Sequence, residues 1–379
     1  MVQKVAFTSE QNLDQAVEDL VRQMRSANEN YNLILFFPSV SYDFELLSKK
    51  LANAFPNSEV VGCSTSGEIS AHGFTKQSIV MTGLSCNKTS VKGVIVEDAD
   101  KFPMVYKKHI EEAMRKCGIS QNSETSHKDA FAITFINGLC NAEEALLAVL
   151  YAVIGNLNFK VLGGSAGDDL KFDRTFVSLN GKVTSRGGVV VFVKSEKKFT
   201  IVKENIFKPS GVTLKLTNVD TKQRKIFEIN GQSAASSYAK AVGTTVDKVM
   251  DVSLLHPIGR AFGEQIFISS IAGVNADQSF NMYCRVLGNT SVELMEQGDV
   301  KAIMNQTVSK IKSEIPNAGF VFFINCILRT LQFDTSDYGK YMTDLYRDNF
   351  KNFCGFSSYG EQINRVNSNQ TLVVLAMEE

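Results

Sequence analysis

A short loop motif occurs three times in this chain, and its residue types are suited to binding a small ligand. Two copies, at 62–68 and 355–361, follow the pattern Gly-x-Ser-x-x-Gly-Glu, and a third, at 163–168, is one residue shorter and ends in aspartate. Glycine permits close approach, hydroxyls donate and accept hydrogen bonds, and a carboxylate accepts from an amine or an N–H group. Each copy follows an apolar run typical of a β-strand, and strand ends are common ligand sites in α/β sheets. The residues predicted to bind a ligand are Gly62, Ser64, Gly67, Glu68, Gly163, Gly164, Ser165, Asp168, Gly355, Ser357, Tyr359 and Glu361.

Two other interpretations of the motif stay open. In the first, the glycines only make turns and each serine or acid caps backbone groups. In the second, the middle copy is the Gly-x-Ser-x-Gly elbow of a serine hydrolase, with Ser165 as nucleophile and Asp251 and His256 following in the required order. That elbow must turn from a strand into a helix, whereas residues 168–180 are predicted as loop and strand. We therefore expect no catalytic residue and no enzyme activity.

The chain contains four histidines, and two of them are candidates for holding a metal or a haem iron. His256 is the first candidate, because Pro257 restricts it to an extended conformation among apolar neighbours. His72 is the second, because it closely follows the first loop. His109 and His127 lie in polar segments and are expected at the surface. A lone histidine among apolar residues is more often part of the core, so that interpretation also stays open.

Composition excludes several classes of partner. Charged residues are 21% and apolar residues 44% of the chain, and 40 basic side chains balance 40 acidic ones. A balanced charge gives no long-range attraction to nucleic acid. No apolar run approaches the roughly 20 residues of a membrane-spanning helix, and the N-terminal segment lacks the pattern of a secretory signal. We expect a cytoplasmic protein without a membrane span and without nucleic acid as a partner.

The elements that must position the loops repeat in the order helix, strand, helix, strand, loop. The first pass contains an amphipathic helix over 8–27, with Thr8 and Gln11 as a capping box, and a strand at 32–37. Later passes follow the same order. Their predicted elements are helices at 104–117, 141–155 with Asn141 as cap, 299–315 and 338–350, and strands at 131–135, 160–162 and 319–325.

The fold class that follows is α/β, with two domains of mixed β-sheet and flanking helices built from this repeated unit. The dipeptide Asn180-Gly181 between two short alternating runs predicts an antiparallel hairpin. A boundary near Lys222 divides the chain into domains 1–221 and 222–379. Because the last loop repeats the first, we expect two pseudo-symmetric halves in which Ser64 and Ser357 occupy equivalent places.

The whole chain resembles the FIST family, bacterial sensory proteins with FIST N and FIST C domains. The resemblance rests on the segments VVGCSTSGEI, FINGLCNAEEALLAVL followed by VLGGSAGDD, IFEINGQSAASSYAKAVG, and GFSSYGE with the closing strand NQTLVVLAM. It implies a FIST N-like ligand-sensing domain at 1–221 and a FIST C-like domain at 222–379, with the glycine-serine loops as part of a ligand site.

The resemblance also implies a function in signal transduction. Its most concrete form is a haem-binding nitric oxide sensor that regulates a partner histidine kinase, with haem b held through His256 or, second, His72. The alternative is a sensor of an amino acid or another small polar metabolite without haem. In that case Glu68, Asp168 and Glu361 would contact the cation of the ligand.

Overall fold

The structure, a computed structural model, describes residues 1–26, 30–263 and 265–379. Within these, the chain divides into two compact units, each discontinuous in sequence. The first unit comprises Met1–Lys203, Met304–Val366 and Leu372–Glu379, and the second comprises Glu204–Ile303 and Asn367–Thr371.

The described part of the chain is mixed α/β. The strands of its first half are β1 (Val2–Thr8), β2 (Leu33–Pro38), β3 (Glu59–Cys63), β4 (Glu68–Ser70), β5 (Gly73–Thr75), β6 (Ile79–Ser85), β7 (Thr89–Glu97), β8 (Ala130–Asn137), β9 (Lys160–Ala166), β10 (Val177–Leu179), β11 (Lys182–Thr184), β12 (Gly187–Ser195) and β13 (Phe199–Asn205). Those of its second half are β14 (Phe207–Asp220), β15 (Lys225–Ile229), β16 (Gln232–Ser233), β17 (Ile258–Phe262), β18 (Gln265–Ser269), β19 (Ile271–Val274), β20 (Phe280–Met282), β21 (Thr290–Gln297), β22 (Ala318–Cys326), β23 (Cys354–Ser358), β24 (Glu361–Ile363), β25 (Val366–Ser368) and β26 (Thr371–Glu378). The α-helices are α1 (Leu13–Arg25), α2 (Phe44–Ala54), α3 (Lys107–Lys116), α4 (Glu143–Ile154), α5 (Ala234–Val242), α6 (Val249–Ser253), α7 (Val300–Glu314), α8 (Ile327–Phe333) and α9 (Tyr338–Asn349).

Three sheets of similar design build the first unit. Each contains a central parallel pair, β2 with β3, β8 with β9 or β22 with β23, and an antiparallel neighbour of the earlier strand. The hairpin that follows each parallel pair leaves its own sheet and adds to the next one. Strand β4 pairs with β23, β10 pairs with β3 and β24 pairs with β9. The three repeats therefore form a closed ring in which every sheet is completed by another repeat.

Both faces of the central strands are buried. In β2, Leu33 and Leu35 enter a core cluster shared by the three sheets, whereas Ile34 and Phe36 pack in a second cluster with residues of α1 and α2. Burial on both faces explains why these strands are continuous apolar runs rather than alternating ones.

The second unit contains one long sheet. Its strand order is β18-β17-β21-β14-β15-β20-β19, and α5 and α6 supply residues to the apolar cluster on its buried face. The segment FEINGQSAASSYAKAVG contains the end of β15, then β16 and α5.

The predicted start of the first helix is wrong. Thr8 ends β1, so Thr8 and Gln11 do not form a capping box. The cap is Asn12, whose side-chain oxygen accepts hydrogen bonds from the backbone N–H groups of Asp14 and Gln15 at 3.1 and 3.2 Å. The predicted end of this helix at residue 27 lies outside the described residues.

One other local prediction differs from the structure, and one helix was not predicted. The cap residue of α4 is Ala142, and Asn141 instead has a positive φ of 53° in the turn before it. The short helix α8 was not predicted, because seven residues directly after an apolar strand give too little periodicity to separate the two elements. The hairpin at Asn180-Gly181 is confirmed as β10 and β11.

The compact units are not the sequence segments 1–221 and 222–379. The C-terminal strands β22, β23 and β26 lie in the first unit, because the third repeat of the ring is formed by residues near the end of the chain. The repeated loops therefore do not belong to two halves, one in each domain. All three lie in one unit, and its pseudo-symmetry is threefold.

No helix among the described residues is long and apolar enough to cross a membrane.

Candidate functional site

The first glycine of each loop is required by the strand beside it. In the parallel ladder Gly62 lies opposite Phe36, and a Cβ added at Gly62 would lie 2.1 Å from Cζ of the Phe36 ring. Such a distance is far inside van der Waals contact, so no other residue fits without displacing the ring. The same relation holds twice more, for Gly163 opposite Thr134 and for Gly355 opposite Phe323.

The three loops bind one another through reciprocal backbone hydrogen bonds. Their residues 64–68, 165–168 and 357–361 are referred to below as the loop hub. Each serine of the motif accepts a hydrogen bond at its carbonyl from one neighbour and donates its own N–H to the same neighbouring repeat. The pairs are Ser66 N to Ser357 O (3.0 Å) with Ser357 N to Gly67 O (2.8 Å), Tyr359 N to Ser165 O (3.0 Å) with Ser165 N to Gly360 O (2.8 Å), and Gly167 N to Ser64 O (2.9 Å) with Ser64 N to Phe176 O (2.9 Å).

This pattern makes Ser64, Ser165 and Ser357 equivalent. The expectation that Ser64 and Ser357 occupy corresponding places is confirmed, and Ser165 is the third member. All three side chains are fully buried. The predicted site residues of the three loops are thus brought together, but inside the protein and not in an open cleft.

The serine hydroxyls bond within the protein. Ser64 Oγ donates to the carbonyl of Gly167 at 2.8 Å, and Ser165 Oγ donates to the carboxylate of Glu143 at 2.9 Å. Ser357 Oγ lies 2.8 Å from the hydroxyl of Thr330. After Ser165 the chain continues as a loop to β10, so the strand-to-helix turn of a hydrolase elbow does not occur there.

Asp168 organises the exposed segment that follows the second loop. Its carboxylate accepts hydrogen bonds from the backbone N–H groups of Phe172, Asp173 and Arg174 at 3.0, 2.7 and 3.0 Å, and from the hydroxyl of Tyr359. Burial and the bond to Asp168 raise the pKa of the Tyr359 phenol. These contacts fix the start of the segment to the loop hub.

The other two acids of the motif are fully buried. Glu361 accepts a hydrogen bond from Ser358 Oγ at 2.5 Å, within its own loop. Glu68 accepts from Thr65 Oγ1 at 2.5 Å and from Ser78 Oγ at 2.6 Å. Removal from water raises the pKa of Glu68 to about 8, and the charge of Asp169 adds to the increase.

This shift gives a testable dependence of stability on pH. The pKa of Glu68 is higher in the folded than in the unfolded protein, so the folded protein holds the proton of Glu68 more tightly. The resulting stabilisation of the folded state is fully present below pH about 4.5 and is lost as pH rises through about 8. Over that interval the free energy of unfolding is expected to fall by about 2–5 kcal/mol from this group. Urea titrations at a series of pH values should show the fall in the wild-type protein and a flatter profile in Glu68→Gln. Parallel profiles would contradict the assignment.

A strained segment begins at Asp169, whose charge contributes to the raised pKa of Glu68. Asp169, Leu170 and Phe172 have φ values of 56°, 62° and 54°, in a region that residues other than glycine seldom adopt. The hydroxyl of Tyr359 accepts a hydrogen bond from the N–H of Leu170 at 2.9 Å, and the Phe172 ring stacks on the Tyr359 ring with centroids 5.2 Å apart. Strain of this kind persists where surrounding contacts impose it, often at functional sites.

Sequence reasoning missed Asp169. Its Oδ2 accepts a hydrogen bond from Ser39 Oγ at 2.8 Å, and its N–H donates to Ser66 Oγ at 3.1 Å. Its Oδ1 is buried and, within the described residues, has no hydrogen-bond partner. Ser39 follows β2 directly, so this group lies at the carboxyl end of a parallel strand. Two consecutive aspartates, Asp168 and Asp169, follow a predicted strand, and this dipeptide is the sequence feature from which Asp169 could have been predicted as a site residue.

The two candidate iron ligands occupy different settings. In the first unit, His72 is exposed, and its ring stacks on Phe7 with centroids 4.4 Å apart. It lines a cavity of about 510 Å³ together with Phe74, Phe333 and several charged residues. In the second unit, His256 is half-buried after α6, and its carbonyl accepts a hydrogen bond from the Tyr238 hydroxyl at 2.6 Å. Iron binding by either imidazole stays a prediction.

Comparison with known proteins gives matches over most of the chain. The FIST N domain matches residues 32–232 and the FIST C domain matches residues 234–364. An uncharacterized protein of Methanocaldococcus jannaschii is 22% identical over 369 residues, which cover 88% of this chain and 70% of the relative. A solved structure of a cyanuric acid hydrolase aligns over 99% of each chain with a TM-score of 0.36 and 8% identity, a likeness too weak to support an argument.

Proposed function

From the premise that this chain belongs to the FIST family, whose domains are small-ligand sensory domains in signalling, we propose that it senses a small polar metabolite through the metabolite's cationic group. The carboxylates of Glu68 and Asp169, referred to below as the carboxylate pair, would receive that group. The protein would act in the cytoplasm and not as an enzyme.

The observation that carries this proposal is the buried Oδ1 of Asp169. A buried carboxylate oxygen without a donor costs about 1–3 kcal/mol or more, so a site that offers one favours a ligand that supplies the donor. Glu68 adds a second acid whose charge is disfavoured as long as no cation is near. A protonated amine would satisfy Asp169 and would also lower the pKa of Glu68 towards its usual range.

The surroundings of the carboxylate pair suit a small amine. Ser39, Thr65 and Ser66 supply hydroxyl oxygens, and the strained segment ends in the half-exposed ring of Phe172 at 49% exposure. The segment is held by a few hydrogen bonds that its backbone N–H groups donate to Asp168 and Tyr359, so a ligand that contacts Asp169 would act on the same contacts. This is how occupancy could change the exposed surface that a partner recognises.

Removal of the Asp169 carboxylate is the direct test of this proposal. We expect one or more of the twenty standard amino acids or putrescine to bind the wild-type protein in isothermal titration calorimetry. Asp169→Asn should weaken that binding at least tenfold, which corresponds to about 1.4 kcal/mol. Asp173→Asn, at an exposed acid of the same segment, is the matched control and should bind as the wild type does. Absence of binding by every probe, or equal binding by Asp169→Asn, would reject the proposal.

Haem-based sensing of nitric oxide is the second candidate, and the cavity beside His72 is the observation that favours it. The rings of Phe74 and Phe333 would cover a porphyrin face, and Arg347 lies in the same cavity as a partner for a propionate, although it already pairs with Asp344 at 2.6 Å. The imidazole of His72 would hold the iron. A Soret band after reconstitution with haem b, lost in His72→Ala and kept in His109→Ala, would favour this candidate.

For either ligand, we propose a histidine kinase as the partner that receives the signal. The support for this partner is the family resemblance alone, and co-purification with a kinase in the presence and absence of ligand would test it.

A further inference from the structure

The sheet of the second unit forks between two of its strands. Strands β17 and β21 are paired at Ile258–Leu294 and Gly259–Glu293. Beyond these pairs β17 stays paired with β18, and β21 stays paired with β14, to the ends of the strands. The space between 259–262 of β17 and 290–293 of β21 is referred to as the strand slot, and it contains a cavity of about 430 Å³.

The direction of the backbone groups in the strand slot follows from one hydrogen bond. The N–H of Met295 donates to the carbonyl of Pro257 at 2.8 Å, so these two residues face each other across the ladder. Backbone groups of an antiparallel strand alternate between its two sides. Every second residue after this pair therefore also faces the partner strand. Beyond the last pair, Ala261 and Ser291 direct their N–H and C=O groups into the strand slot.

The side chains that line the strand slot include exposed apolar ones. Phe262 is 62% exposed and Leu287 is 44% exposed. Because side chains alternate between the faces of a strand, Arg260 lies on the same face of β17 as Phe262. The strand slot thus offers backbone donors and acceptors along its walls, with the apolar ring of Phe262 and the cation of Arg260 on one face of β17.

We infer that the strand slot receives an extended peptide segment of a partner protein. A β-strand is the ligand whose own N–H and C=O groups repeat with the spacing of the strand edges, and pairing with such an edge is a known mode of peptide recognition. Since β17 and β21 run antiparallel, the segment would be antiparallel to one wall and parallel to the other. On the face of β17 that carries Phe262 and Arg260, the bound segment would place an apolar side chain against Phe262. Two positions away along the segment it would place an acidic side chain against Arg260.

This site is separate from the carboxylate pair, and the inference does not depend on which ligand the first unit binds. It concerns an interaction surface in the FIST C part of the chain, where the strand slot lies.

Proline substitution at Ala261 tests the inference with little effect on the rest of the sheet. The N–H of Ala261 faces the strand slot and not β18, so its loss leaves the β17–β18 ladder intact. A phage-displayed library of nine-residue peptides would be selected on the full-length protein, and the enriched peptide synthesised. We expect alternating apolar residues with a nearby acid, and at least tenfold weaker binding to Ala261→Pro in fluorescence anisotropy.

Three controls make the result decisive. Ala261→Val keeps the N–H and should lose much less affinity than Ala261→Pro, whereas methylation of the peptide's own backbone nitrogens should weaken binding. If Ala261→Pro does not fold, Ser291→Pro removes the donor on the opposite wall. No enriched peptide, or a peptide that binds the folded proline variant with unchanged affinity, would overturn the inference.

Discussion

Gly62→Ala is expected to lower the free energy of unfolding of the first unit by about 3 kcal/mol, near the upper end of the usual effect of overpacking a core. The added methyl group would lie 2.1 Å from the Phe36 ring, and Phe36 is itself fully buried and cannot turn away into solvent. Urea unfolding followed by circular dichroism would measure the loss.

The clash itself can be isolated by a second substitution. The atoms nearest to the added Cβ are Cζ, Cε1 and Cε2 of Phe36, which leucine lacks. Phe36→Leu should therefore cost less in the Gly62→Ala background than in the wild type, as a double-mutant cycle would show. Gly339→Ala is the matched control in the same unit, because its Cβ would make only ordinary contacts, 3.5 Å or more from Phe74, within a helix that favours alanine. Equal losses at Gly62 and Gly339 would refute this explanation of the motif glycines.

Asp168→Ala is expected to destabilise the first unit by about 2–4 kcal/mol. The substitution removes the acceptor of three backbone N–H groups and of the Tyr359 hydroxyl, and hydrogen bonds to charged groups contribute about 1.5–3 kcal/mol each when buried. The expected loss is less than their sum because water can reach the exposed segment after the change. Hydrogen exchange should accelerate at the amides of Phe172, Asp173 and Arg174.

Asp173→Ala is the control for this prediction. Asp173 is exposed in the same segment, and surface substitutions usually change stability by less than about 0.5 kcal/mol. If both variants unfolded at the same urea concentration, or if the three amides stayed protected in Asp168→Ala, then Asp168 would not be the residue that holds the segment.

The loop hub also bears on how a buried motif can serve a sensor. Its three motif serines are satisfied within the protein, which supports a structural role for Ser64, Ser165 and Ser357 themselves. The carboxylate pair consists of Glu68, at the edge of the hub, and the adjoining Asp169, and it combines a perturbed acid, an oxygen without a hydrogen-bond partner among the described residues, and a strained segment. We therefore regard the rest of the hub as the rigid support and the carboxylate pair as the part that would respond to a ligand, as proposed above.

Much of the local structure was determined by the sequence alone. The apolar runs of β2, β8 and β22 and the periodic helices α7 and α9 were predictable, because burial of both strand faces and of one helix face leaves a pattern in neighbouring residues. The hairpin at Asn180 was predictable because its turn requires residues that tolerate positive φ. The glycines of the motif were recognised in the sequence, but the packing that requires glycine at these positions could not be predicted from it.

Tertiary structure alone decided what the three loops do. Gly62 is required because Phe36, 26 positions earlier in the sequence, covers it, and the loops close into a ring because each hairpin joins the sheet of another repeat. Asp169 becomes a candidate ligand residue only because folding brings its carboxylate into hydrogen-bond contact with Ser39 and near enough to Glu68 to raise the pKa of that acid, although both residues are distant along the chain. Sequence periodicity records which face of an element is buried, whereas pairing between distant strands depends on the packing of the whole unit, and no local pattern records it.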